Sequence, residues 1–77
     1  MIKTTTKEMT KLMRKAQAFQ RKLKVYNDLS MSYNEEGMYI NFSIKVGEEK
    51  FDTLSLYYFF EPEVNEMNLE LFIMEHQ

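Results

Sequence analysis

The sequence predicts an α+β domain, with one N-terminal amphipathic helix packed on a four-stranded antiparallel β-meander. Three observations predict it. Apolar residues recur at spacings of three and four through the first third of the chain. From about residue 29 the pattern changes to alternation, interrupted by two glycine-bearing turns. The chain has only 77 residues, room for one core and so for a single domain over 1–77.

The helix is expected over about residues 5–25. Thr5 with Glu8 three positions later fits a capping box, in which each side chain satisfies a backbone N–H at the helix start. Met9, Leu12, Met13, Ala16, Phe19, Leu23 and Tyr26 then form the apolar stripe. Asn27-Asp28 ends it.

Strands are expected at about 29–33, 38–46, 50–60 and 67–75. Leu29, Met31 and Tyr33 alternate with Ser30 and Ser32 ahead of an Asn34-Glu35-Glu36-Gly37 turn. Met38, Ile40, Phe42, Ile44 and Val46 alternate with polar or aromatic residues in the pattern of a half-buried strand. Gly47-Glu48-Glu49 forms the next turn, and Gly37 and Gly47 are the residues for which a positive φ costs least. Leu54, Leu56, Tyr58 and Phe60 define one face of the third strand, which Pro62 ends because proline cannot donate to a ladder. After Pro62 two periods compete. Met67, Leu69, Leu71 and Ile73 alternate as in a strand, whereas Val64, Met67, Leu71 and Met74 fit a helix. The alternation is tighter, so a fourth strand is the expectation.

One helix can cover only one face of such a sheet. The other would carry Tyr39, Tyr57, Phe59, Phe72 and Met74 among smaller polar residues, and an apolar patch of that size marks an interaction surface. A small core without disulfides or metal gains most from self-association, and the chain has no cysteine. A homodimer through these five residues is therefore expected, with a base-stacking platform for single-stranded nucleic acid as the alternative.

Charge is divided along the chain. Residues 1–24 hold eight of the ten basic residues against Glu8 alone, a net of +7. Residues 25–77 hold eleven acids against Lys45 and Lys50, a net of −9. Lys7, Lys11, Arg14, Lys15, Arg21 and Lys22 lie opposite the apolar stripe of the helix and offer a phosphate-contacting surface. No helix-turn-helix partner or base-reading Asn or Gln accompanies them. Glu35, Glu36, Glu48, Glu49, Asp52, Glu61, Glu63, Glu66 and Glu70 form the opposing acidic set, suited to a basic partner. On strands, Glu61 and Glu63 would stand about 6.6 Å apart, a row of negative charge.

No catalytic constellation is visible. The single histidine, His76, adjoins the C-terminus and reads as an inert surface residue. The serines have no positioned base, and the acids lack the spacing of a calcium loop. A non-enzyme without cofactor or metal is expected. No apolar stretch approaches the roughly 20 residues of a membrane span, and the N-terminal residues do not resemble a signal peptide. These features predict a cytoplasmic protein without membrane contact.

A short, cysteine-free chain with a basic helix and acids from Glu35 to Glu75 resembles the small host-takeover proteins of lytic phages that act as DNA mimics. The resemblance implies an inhibitor, working in the host cytoplasm, that binds a basic DNA-binding protein of the HU type and blocks its nucleic-acid site. The alternative is a nucleic-acid-binding module built on the basic helix.

Overall fold

The computed structural model describes residues 2–77 and has the element order α1 (Thr6–Gln20), β1 (Asn27–Tyr33), β2 (Met38–Gly47), β3 (Lys50–Tyr57), α2 (Pro62–Glu75). The class is α+β, with two helices and a three-stranded antiparallel sheet in the order β1-β2-β3. The fourth strand expected at 67–75 is a helix.

Local chemistry explains the boundaries. Thr5 is extended and accepts from the Glu8 N–H at 3.1 Å, while the Glu8 carboxylate accepts from the Thr5 N–H at 2.9 Å, completing the capping box. Those bonds hold the Glu8 carboxyl below its ordinary pKa, the Thr5 backbone N–H being the largest cause. The helix stops at Gln20, short of the expected residue 25, because Lys22 and Leu23 bond to carbonyls only three residues back as the chain tightens into a turn. Pro62 opens α2, where its fixed φ suits the first helical position and its missing N–H costs nothing. Asn65, Leu69 and Phe72 are buried at helical spacing. The alternation of Met67, Leu69, Leu71 and Ile73 is incidental, since Met67 and Leu71 face outward.

Both helices lie on one face of the sheet. Their N-terminal ends meet the Tyr58–Phe60 turn, where Thr4 donates to the Phe60 carbonyl. Their C-terminal ends reach Asn27, through Gln20, and Asp52, through His76. They therefore run parallel. β2 is the central strand, and its Met38, Ile40, Phe42 and Ile44 join Leu56 of β3 against Met9, Leu12, Ala16 and Phe19 of α1 and Leu69 and Phe72 of α2. Phe42 ties the layers together, with ring centroids 6.3 Å from Phe19 and 5.4 Å from Phe72. A fourth strand would have left Leu54 and Leu56 uncovered; α2 covers them.

The turns differ from the expected glycine chemistry. Neither Gly37 nor Gly47 has a positive φ, and Glu49 in the β2–β3 turn takes the left-handed conformation at φ 58°.

Candidate interaction surface

The two helices place opposite charges side by side. On α1, Lys7 and Arg14 lie opposite the buried Met9 and Ala16 with Lys11 beside them, and Arg21 at the C-cap and Lys22 in the following turn continue the basic run. All are exposed. Glu8 and Lys15 lie on the flank that meets α2. There Lys15 Nζ stands 3.1 Å from the Glu70 carboxylate, and Glu8, Lys11 and Glu66 line an open cleft of about 300 Å³ between the helices. Both partners of the Lys15–Glu70 pair are about half exposed, so the pair contributes only ~0.2–1 kcal/mol. Lys15 is the only α1 cation in an ion pair among the described residues.

The acidic set falls into three places. Glu61 precedes α2, and Glu63, Glu66 and Glu70 occupy its exposed turns, so no strand row exists. Glu35 and Glu36 sit in the β1–β2 turn, where Tyr58 donates its hydroxyl hydrogen to Glu36. That bond raises the Tyr58 pKa above its ordinary value. Glu48 and Glu49 form the β2–β3 turn at the opposite end of the sheet. Asp52 is on β3 and engages His76.

α2 also carries an apolar stripe that faces water. Val64, Met67, Leu71 and Met74 are all exposed, at spacings of three, four and three, with Glu63 and Glu70 along one side. The sequence contained that signal in its competing helical period. With no basic residue within it, α2 is an acidic helix, apolar on both its core-facing and outward sides.

The open face of the sheet carries a different apolar set from the one expected, with Phe51 exposed on it and its ring 6.0 Å from that of Tyr26. Phe72 is in the core, and Met74 is on α2, because the segment is helical. Tyr39, Tyr57 and Phe59 do gather there, with centroids 6.2 Å apart for Tyr39–Tyr57 and 4.9 Å for the stacked Tyr57–Phe59. Beside them runs a polar lane already bonded within itself: Ser55 donates to Asn41 at 2.7 Å, and the Ser43 and Thr53 hydroxyls are 3.0 Å apart.

His76 is not the surface residue expected. Its side chain is only 8% exposed, with Nδ1 2.7 Å from the Phe72 carbonyl and Nε2 2.9 Å from Asp52. Both ring nitrogens are occupied, and no serine hydroxyl bonds to either. Among the described residues no group of three metal-ligating side chains converges, and no helix is long and apolar enough to cross a membrane. Comparison with known protein families, curated proteins and solved structures finds no match to the chain.

Proposed function

We propose that the chain is a non-catalytic interaction protein whose acidic α2 face captures a basic DNA-binding protein and occupies that protein's nucleic-acid site. One observation carries the reading: Glu61, Glu63, Glu66 and Glu70 cluster at and along a helix that has no cation of its own and exposes Val64, Met67, Leu71 and Met74 beside them. Helical neighbours three and four apart stand roughly 5–6 Å from one another, so Glu63, Glu66 and Glu70 form a closely spaced anionic row, with Glu61 ahead of it at the N-cap. The carboxylates would steer a cationic partner and give fast, salt-sensitive association. The adjoining apolar stripe would supply desolvated contact, which charge alone does not.

The test uses a nucleoid protein of the HU type bound to a fluorescent DNA duplex. Adding the chain should displace the duplex and lower its anisotropy. Reversal of Glu61, Glu63, Glu66 and Glu70 to lysine should abolish displacement while the circular dichroism spectrum stays unchanged. Equal displacement by the reversed variant would reject this surface.

A second reading, direct nucleic-acid binding by α1 and the turn after it, is favoured by exposed cations that have no ion-pair partner among the described residues: Lys7, Lys11 and Arg14 on the helix, and Arg21 and Lys22 just beyond it. Titrating labelled DNA with the chain alone separates the two. Binding that weakens steeply with salt, and weakens again when Lys11, Arg14 and Lys15 become alanine, would support α1.

A further inference from the structure

The two edges of the sheet are treated differently by the rest of the chain. In an antiparallel ladder, directly opposed pairs alternate between those that exchange hydrogen bonds and those that do not. Lys45 N–H donates to the Tyr26 carbonyl and Asn34 N–H to the Gly37 carbonyl, which fixes that alternation between β1 and β2. Asp28, Ser30 and Ser32 are therefore the β1 residues bonded to β2. Asn27, Leu29, Met31 and Tyr33 point their N–H and C=O groups away from the sheet, and among the described residues none of these groups has a hydrogen-bond partner.

Free edges are normally blunted by lysine, proline, a bulge or a covering segment. β3 is protected in part, by charge along it and by partners at its C-terminal end. It carries Lys50 and Asp52, its Tyr57 carbonyl accepts from Asn65, and Thr4 bonds to the Tyr58 and Phe60 carbonyls just beyond it. β1 has none of these devices. It spans seven residues in unbroken register with β2 and bears a single charge, Asp28. Met31 and Tyr33 are exposed beside it, at 40% and 63%.

The flank of α1 above this edge is also uncharged. Thr6, Thr10, Met13 and Gln17 form one strip by helical spacing, and Gln20, next on that strip, donates to the Asn27 side chain and so orients it toward β1. Elsewhere α1 is densely basic, and this neutral flank adjoins the unblunted edge.

We propose that β1 pairs antiparallel with β1 of a second copy, making a continuous six-stranded sheet about a twofold axis at Ser30. That register overlaps all seven residues. It sets Leu29 opposite Met31 and Asn27 opposite Tyr33 as hydrogen-bonded pairs, with Ser30 opposite Ser30 as a non-bonded pair. Asp28 then faces Ser32, and the two Asp28 residues stand roughly 13 Å apart along the strands, beyond the Debye length at physiological salt. α1 packs over β1 and β2, so with strands about 4.8 Å apart the two α1 helices would lie roughly 10 Å from each other, the spacing of packed helices. Their neutral strips would meet there, above Leu29 and Met31.

The chain's lack of cysteine makes the test direct. Opposed residues of a non-bonded antiparallel pair have Cα atoms about 4.5 Å apart, within disulfide range. Ser30→Cys should oxidise to a covalent dimer at micromolar protein, whereas Ser32→Cys and, on the other edge, Thr53→Cys should stay largely monomeric on reducing-agent-free gels. In sedimentation equilibrium the unaltered chain should reach twice the monomer mass. Met31→Pro, which removes an outward N–H and no bond to β2, should remain monomeric, as should Met31→Lys, which keeps the backbone intact. A monomeric unaltered chain, a dimer surviving both Met31 variants, or cross-linking favoured at residue 32 or 53 would each overturn the pairing.

Discussion

Asn65 on α2 and Thr4 ahead of α1, 61 positions apart, are joined by a buried hydrogen bond of 2.9 Å from the Asn65 amide to the Thr4 hydroxyl. The second amide hydrogen goes to the Tyr57 carbonyl at 2.8 Å, and the Thr4 hydroxyl donates onward to the Phe60 carbonyl at 2.7 Å. This fixes the amide's orientation, because a flipped Asn65 would set oxygen against two acceptors. The network fastens the segment before α1, the end of β3 and the first turn of α2. Asn65→Ala removes both donors, strands the Tyr57 carbonyl and opens a void, so a loss of ~2–4 kcal/mol is expected. Urea denaturation should show a lower midpoint at unchanged slope. A loss below ~0.5 kcal/mol would mean the network contributes little.

That network marks how far the sequence can be read. The capping box at Thr5 and Glu8 and the alternation of Met38 to Ile44 are local signals, and the start of α1 and the span of β2 follow them, whereas the end of α1 falls five residues short of residue 25. In the sequence Asn65 reads as any polar residue, because its partners, the Thr4 hydroxyl and the Tyr57 carbonyl, lie 61 and 8 positions away and are brought to it only by the fold. The segment after Pro62 was ambiguous for another reason. It is apolar on two helical faces, so alternation and helical spacing coexist, and only the need to cover Leu54 and Leu56 decides between them. The acids read as a set in the sequence, but which of them share a surface depends on whether the segment after Pro62 is helix or strand, and so on that same packing.

Gly37 is required by a close approach, not by its backbone angle. A Cβ built there would lie 2.6 Å from Tyr58 Cγ and 2.9 Å from its Cβ, atoms too near the backbone to swing away. Gly37→Ala should cost ~1–3 kcal/mol through displacement of Tyr58 and its bond to Glu36. In a double-mutant cycle, Tyr58→Ala should relieve much of that penalty. Strictly additive losses would remove the steric explanation.

The β2–β3 turn holds a stabilisation not realised in the present sequence. Glu49 adopts φ 58°, a conformation that costs a residue with a Cβ roughly 1–2 kcal/mol. Glycine adopts it freely, although its unfolded chain is more flexible. Glu49→Gly should therefore raise stability by ~0.5–1 kcal/mol, seen as a higher urea midpoint. A destabilised variant would show that the Glu49 side chain makes a compensating contribution.

His76 makes stability depend on pH near neutrality. Burial disfavours its charged form, but the Phe72 carbonyl and the Asp52 carboxylate together outweigh burial and raise its pKa above the ordinary 6.5. Geometry agrees, because only the doubly protonated ring can donate to both acceptors at once. A group whose folded pKa is raised contributes stability fully below its unfolded pKa and loses it as pH rises through the folded value. Stability should therefore fall as pH rises from 6 into the range above 6.5, and no other side chain ordinarily titrates in that interval, since the chain has one histidine and no cysteine. Asp52→Asn should flatten this dependence while leaving an acceptor for Nε2. The His76 ring protons, followed by NMR, should titrate with a midpoint above 6.5 in the unaltered chain and a lower one in the variant. A midpoint below 6.5 with Asp52 present would show that burial dominates, and the pH profile should then invert.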